Sequence, residues 1–320
     1  MNVLLKKFLF LLFTFFSFNL FAQTDGRDFK AIDAYVKSLG SLDSMSMGTI
    51  NNVVSNHFED KIDKARAIYD WIAGNIEYDV KSARNNSTSK NSPTEVLLHR
   101  KAVGIGFASL FQDMCSSAGI RCLTVDGFVK NNTEQIGERG VEINHSWAVV
   151  QLGESPDSWY YVDPAFGSGY ADADMKVFTK SFTDAYFFTD KAVFNLQHYP
   201  DNEAWKLGRG PKSKKDFFEL PVIRYAAMEY GLKSIYPGNG MLKVKVNKAI
   251  SFSFTLRSVE DINKVELATG ERKKYKVEEI QYSNSGSTIS FTYKFEVEDN
   301  YPVTVLINGK ELLSYYVEVY

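Results

Sequence analysis

The sequence predicts an α+β domain, with a central helix packed on an antiparallel sheet, followed by a small all-β Ig-like sandwich. Three observations carry this. Residues 104–118 place Phe107, Leu110, Phe111, Met114, Cys115 and Ala118 on one helical face. Residues 122–130, 145–151 and 158–162 then alternate as strands with short polar connections. Beyond residue 216 the strand patterns dominate, and Asn308-Gly309 is a two-residue hairpin turn.

The elements follow in order. Lys6 and Lys7, an apolar run over 8–20 and Ala22 ahead of Gln23 have the layout of a secretory signal peptide over residues 1–22. The apolar run is short for a bilayer span. Residues 61–76 carry Ile62, Ala65, Ile68, Tyr69, Ile72 and Ile76 at helical spacing. Residues 81–92, rich in Asn and Ser, read as a surface loop. Pro93 opens a short helix, and Gly119 ends the central one. The stretch 131–140 is polar loop. Gly208-Arg209-Gly210-Pro211 and the lysines after it read as a linker over 208–216. The expected division is therefore a first domain over 23–207 and a β-sandwich over 217–320, whose strands include 242–246, 250–256 and 288–297.

With 320 residues, 44% of them hydrophobic and 14% aromatic, the chain has material for two cored domains. A formal net charge of −2 gives no reason to expect nucleic acid or an anionic membrane surface as partner. The four histidines and two cysteines have no zinc-ligand spacing, so neither a metal nor another cofactor is expected. Cys115 and Cys122 are expected as buried thiols, with a disulfide between them as the alternative in an exported chain.

Chemistry is expected from His145, which opens one strand in Asn144-His145-Ser146-Trp147, and Asp163, which closes the next in Tyr161-Val162-Asp163-Pro164. If the two strands form a hairpin, an imidazole–carboxylate pair results at one sheet edge. A cysteine peptidase also needs a thiolate at a helix N-terminus, where the dipole lowers its pKa.

The segments Lys64-Ala65-Arg66-Ala67-Ile68-Tyr69-Asp70-Trp71, Val103-Gly104-Ile105-Gly106-Phe107-Ala108, Asn144-His145-Ser146-Trp147 and Tyr161-Val162-Asp163-Pro164 together resemble the transglutaminase-like, papain-like cysteine peptidase family. Downstream, Tyr186-Phe187-Phe188-Thr189-Asp190 and His198-Tyr199-Pro200-Asp201-Asn202-Glu203-Ala204-Trp205 resemble its kyphoscoliosis peptidase-like branch. In that family the helix-start motif carries the nucleophilic cysteine, which falls on Gly104 here. Glycine has no side chain with which to attack. Cys115 lies roughly 16 Å along the same helix at about 1.5 Å rise per residue, and Ser109 points elsewhere.

The signal-peptide layout predicts an exported, periplasmic or extracellular protein, and the resemblance implies one that has lost covalent catalysis and keeps its cleft. His145 and Asp163 would be a remnant dyad, with Trp147 and Gly106 lining the groove. The expected partner is an envelope peptide or protein, cell-wall peptide included. The alternative is a peptide or amide hydrolase of residual or altered mechanism through His145 and Asp163. His198 is expected to serve packing or a backbone hydrogen bond.

Overall fold

In a computed structural model of the protein, residues 27–155, 158–171, 175–270 and 275–320 are described. The expected signal peptide lies outside the described residues.

Three helices open the first domain: α1 (Lys30–Leu39), α2 (Met47–Ser55) and α3 (Lys61–Asn75). Asp60 starts α3 by accepting from the backbone N–H groups of Ile62 and Asp63. The α3 residues Ile62, Ala65, Ile68, Tyr69 and Ile72 are all buried. Each of the buried isoleucines contributes about 1.5–3 kcal/mol. Inside the same bundle sits Arg66, 2% exposed. Its guanidinium is bidentate to Asp33 at 3.0 and 3.1 Å, with Asp70 2.9 Å away.

The chain then forms β1 (Glu77–Tyr78), α4 (Val80–Arg84), α5 (Pro93–His99) and β2 (Lys101–Ala102), with β1 and β2 parallel. Residues 81–84, expected as loop, belong to α4 because Asp79 caps it through Ser82 N–H. The central helix α6 (Gly104–Ser117) buries Phe107, Leu110, Phe111, Met114 and Cys115, and Gly119 follows it at φ +75°.

Next come β3 (Arg121–Val129), β4 (His145–Gln151), β5 (Trp159–Val162), α7 (Pro164–Ser168), the hairpin β6 (Gly169–Ala171) with β7 (Phe178–Lys180), α8 (Lys191–Gln197) and β8 (His198–Pro200). The antiparallel sheet runs β5-β4-β3-β8. Its period of two divides β4 between two cores. Ala148 and Val150 join the helical core with Phe107 and Trp71. Trp147 and Val149 join a second core that continues through Phe194 and Ala226 into the C-terminal domain.

The stretch expected as linker is tied down. Asn195 Nδ2 donates to the carbonyls of Leu207 and Arg209, Pro211 is buried, and Ser213 caps α9 (Lys214–Glu219). Phe217 and Phe218 pack on Phe128 and Tyr199 of the first domain. After β9 (Val222–Ile223) and α10 (Tyr225–Glu229) the chain is all β: β10 (Ser234–Tyr236), β11 (Met241–Val244), β12 (Ala249–Thr255), β13 (Val265–Thr269), β14 (Lys276–Glu279), β15 (Ser283–Ser285), β16 (Thr288–Lys294), β17 (Asp299–Ile307) and β18 (Lys310–Val319). Two sheets result, β10-β12-β16-β15 and β11-β18-β17-β13-β14, with β9 also pairing with β18. Asn308 and Gly309, at φ +51° and +78°, make the tight turn between β17 and β18. β16 ends at Lys294, short of the expected 297, and Val297 is 68% exposed.

Candidate functional site

The site is assembled where α6 begins, β4 begins and β5 ends. Antiparallel pairing of β4 with β5 sets Ala148 opposite Val162. That register returns the residue after β5 to the level of the residues that open β4. The pair predicted from the sequence forms: His145 Nε2 is 2.6 Å from Asp163 Oδ2. Both residues are buried, His145 at 5% exposure and Asp163 at 0%.

Asp163 is held from two directions. Its Oδ1 accepts from the N–H groups of Ala165 and Phe166 at 3.0 Å each, so it is also the N-cap of α7. Its Oδ2 accepts a second imidazole, His198 Nε2, at 3.1 Å. Burial works against the charge on Asp163. The neighbouring His145 and the hydrogen bonds from both imidazoles outweigh it and hold the carboxyl well below the usual carboxylate range. A carboxylate can only accept, so both Nε2 atoms carry the hydrogens in this network. For His145 this turns Nδ1 toward Gly104 with its lone pair free when the ring is neutral.

Gly104 is the first residue of α6, whose N-cap, Val103, offers no side-chain cap. A Cβ built on Gly104 would lie 2.6 Å from His145 Nδ1 and 3.2 Å from the backbone nitrogen of Ser146. The imidazole therefore occupies space that any side chain at 104 would need. The ring fills the space beside the glycine.

Neither expected substitute reaches this point. Ser109 Oγ donates to the carbonyl of Ile105 at 2.7 Å. Cys115 is fully buried in the helical core, and burial first, then Cys122, pushes its thiol well above the ordinary range. Both cysteines are free thiols.

Two residues expected to line the groove do not. Trp147 is fully buried and stands behind the imidazoles, 6.2 Å from the His145 ring and 5.2 Å from that of His198. As an alternate residue of β4 it faces the second core, where an indole contributes most. Gly106 is also buried. A Cβ there would meet Asn91 Oδ1 at 2.5 Å and Ala102 Cβ at 2.7 Å, so the glycine permits close packing inside the domain. Asn91 is a positioning residue that sequence reasoning missed. Its Oδ1 accepts from Val103 N–H at 3.0 Å and fixes the backbone just before α6.

His198, assigned to packing in the sequence reading, is part of the cluster as well. It stacks on Phe194 with centroids 3.9 Å apart, and burial pushes it down to about 4 against the pull of Asp163. His145, Asp163 and His198 present ligand atoms within 4.8 Å of one another, a donor set that a metal ion uses. The fit is poor, however. Donors around a tetrahedral ion with bonds near 2.0–2.1 Å stand about 3.3 Å apart, whereas these N···O separations of 2.6 and 3.1 Å are hydrogen bonds.

Comparison with known proteins places the arrangement. Residues 49–164 match the family model of the transglutaminase-like superfamily. The chain is 33% identical to kyphoscoliosis peptidase of Mus musculus over 204 residues, which is 62% of this chain and 30% of that protein. Against kyphoscoliosis peptidase of Homo sapiens the identity is 31% over 226 residues, 70% of this chain and 33% of the other. Hillarin of Drosophila melanogaster is 25% identical over 233 residues, 68% of this chain and 27% of that protein. The chain thus spans about a third of the length of the curated relatives it matches. It carries a transglutaminase-like domain of the kyphoscoliosis peptidase-like branch.

Proposed function

We propose that this protein is a catalytically inactive member of its branch that is exported and binds an envelope peptide or protein, cell-wall peptide included, through the cleft beside Gly104. One observation carries the reading. The residue that meets the Nδ1 of an acid-held imidazole, at the start of a helix, is a glycine. Nucleophilic catalysis needs a thiol or hydroxyl at that point. The remaining hydroxyls and thiols considered above are engaged or buried. Loss of the nucleophile leaves at most about 10³–10⁴-fold over water from binding and oxyanion stabilisation in the triads where it has been taken apart.

A second reading, residual hydrolysis through water activated by His145, is favoured by the retained 2.6 Å contact to Asp163. It is weakened by the imidazole's burial against Gly104. The discriminating experiment profiles the purified protein against peptide and amide substrates, alongside His145→Ala. The binding reading expects no turnover from either protein. Turnover that disappears with the substitution rejects it in favour of hydrolysis.

A further inference from the structure

Between α4 and the segment entering β4 lies a cavity of about 270 Å³. Its walls include Tyr78, Arg84, Asn86, Asn131, Asn144 and Met175. Two of the lining residues lead to the Gly104–His145 position along the chain. Asn144 directly precedes His145, and Tyr78 lies in β1, which pairs with β2 just ahead of α6. Burial, then the charges of Asp163 and Asp79, pushes the Tyr78 phenol up to about 12, so it enters this wall as a neutral donor and acceptor.

Two features give the cavity a chemical preference. The first is rigidity on one side. Asn144 Oδ1 accepts from Val129 N–H at 2.9 Å and its Nδ2 donates to Val129 O at 3.0 Å, which locks the entry to β4. The second is charge. Arg84, in the last turn of α4, is exposed, and among the described residues it takes part in no ion pair. The nearest acid in sequence, Asp79, is committed to Ser82 N–H and Oγ at 2.9 and 2.7 Å. The described wall therefore offers a guanidinium and amide groups with no carboxylate among them.

We propose that this cavity receives the anionic group of an extended peptide lying beside Gly104, with Arg84 as its ion-pair partner and the amides of Asn86 and Asn131 as neighbouring donors. The inference rests on the binding reading above and adds the ligand class. A guanidinium presents paired N–H donors that match a carboxylate. A peptide carries such a group either on an acidic side chain or at its C-terminus, and the wall chemistry serves both.

The test uses three matched hexapeptide libraries. One has central Glu and a C-terminal amide, the second central Gln and an amide, and the third central Gln and a free C-terminal carboxylate. Binding to the purified protein and to Arg84→Gln is followed by fluorescence anisotropy at two salt concentrations. At low salt, at least one carboxylate library is expected to bind about tenfold tighter than the neutral one, and the tighter library identifies the source of the charge. That preference is expected to vanish in Arg84→Gln and to shrink with salt. Equal binding of all three, or a preference that survives Arg84→Gln, overturns the anion proposal while leaving peptide binding in place. Failure of every library to bind removes the binding reading itself, and the proposal with it.

Discussion

A Cβ placed on Gly104 would stand 2.6 Å from Nδ1 of His145, so the imidazole and any side chain at 104 compete for one volume. The ring stays where it is because Asp163 grips its other nitrogen at 2.6 Å. This relationship sets the first expectation. Gly104→Ala forces the ring to shift by a few tenths of an ångström while Asp163 still holds its other nitrogen, and is expected to cost about 1–3 kcal/mol, as overpacking does. Gly74→Ala is the control. That glycine sits in α3 with nothing within 4 Å of an added Cβ, and the same substitution there is expected to gain about 0.5–1 kcal/mol. Urea unfolding of both variants checks the pair.

The buried cluster imposes an acid limit on stability. His198 is pushed down to about 4 in the folded protein, whereas an unfolded histidine titrates near 6.5. The unfolded chain therefore binds more protons between those values, and stability falls as the pH drops from about 6.5 to 4. Asp163, held below the ordinary carboxylate range, adds its contribution above its unfolded value and loses it as the pH falls through the folded one. His198→Gln is expected to remove the part of the slope between about 6.5 and 4 and keep the steeper loss at lower pH. Unfolding free energies measured from pH 3 to 7 read both parts.

Lys130 gives a pH signature of the same sign in a higher window. Its ammonium is buried over the Phe217 ring at 3.8 Å and donates to the Phe217 carbonyl, and burial pushes it down to about 7. The unfolded side chain titrates near 10.4. Between about 7 and 10.4 the unfolded chain holds the extra proton, so stability rises with pH across that window. Relative to Lys130→Met, the natural protein is expected to gain stability from pH 7 to 10 and to show a constant difference below 7. Parallel thermal and urea melts of the two proteins check this.

Arg66 tests the helical half. Its guanidinium joins Asp33 of α1 to Asp70 of α3 inside the core, with Phe29 5.0 Å away. Arg66→Ala leaves the buried Asp70 carboxyl without its cation and is expected to cost about 3–5 kcal/mol. Asp33, at 38% side-chain exposure, can reach water, so Asp33→Asn is expected to cost less. Equal losses would contradict the assigned geometry.

How far the sequence reveals this site depends on the range of each contact. His145 and Asp163 were legible because strand alternation places them at facing ends of neighbouring strands, a local inference. The start of α6 was legible from the amphipathic stripe and the motif around Gly104. His198 was not. It opens a strand of three residues, and its place beside Asp163 depends on β8 pairing with β3, with Val129 opposite His198. No periodicity signals so short a strand. Trp147 was misplaced for a related reason. Adjacency to His145 in sequence suggested the cleft, but the pleat sends it into a core shared with the second domain. The helix at 80–84 was hidden because one aspartate cap, rather than an apolar stripe, defines it.

The most direct measurement is the alkylation rate of Gly104→Cys by iodoacetamide as a function of pH, with and without His145→Ala. Position 104 stands at a helix N-terminus against an acid-held imidazole. The introduced thiol is expected to react as a thiolate well below its ordinary pKa of about 8.5, and to lose this advantage when His145 is removed. An introduced thiol with ordinary reactivity, indifferent to His145, would contradict the claim that Gly104 stands where the nucleophile belongs.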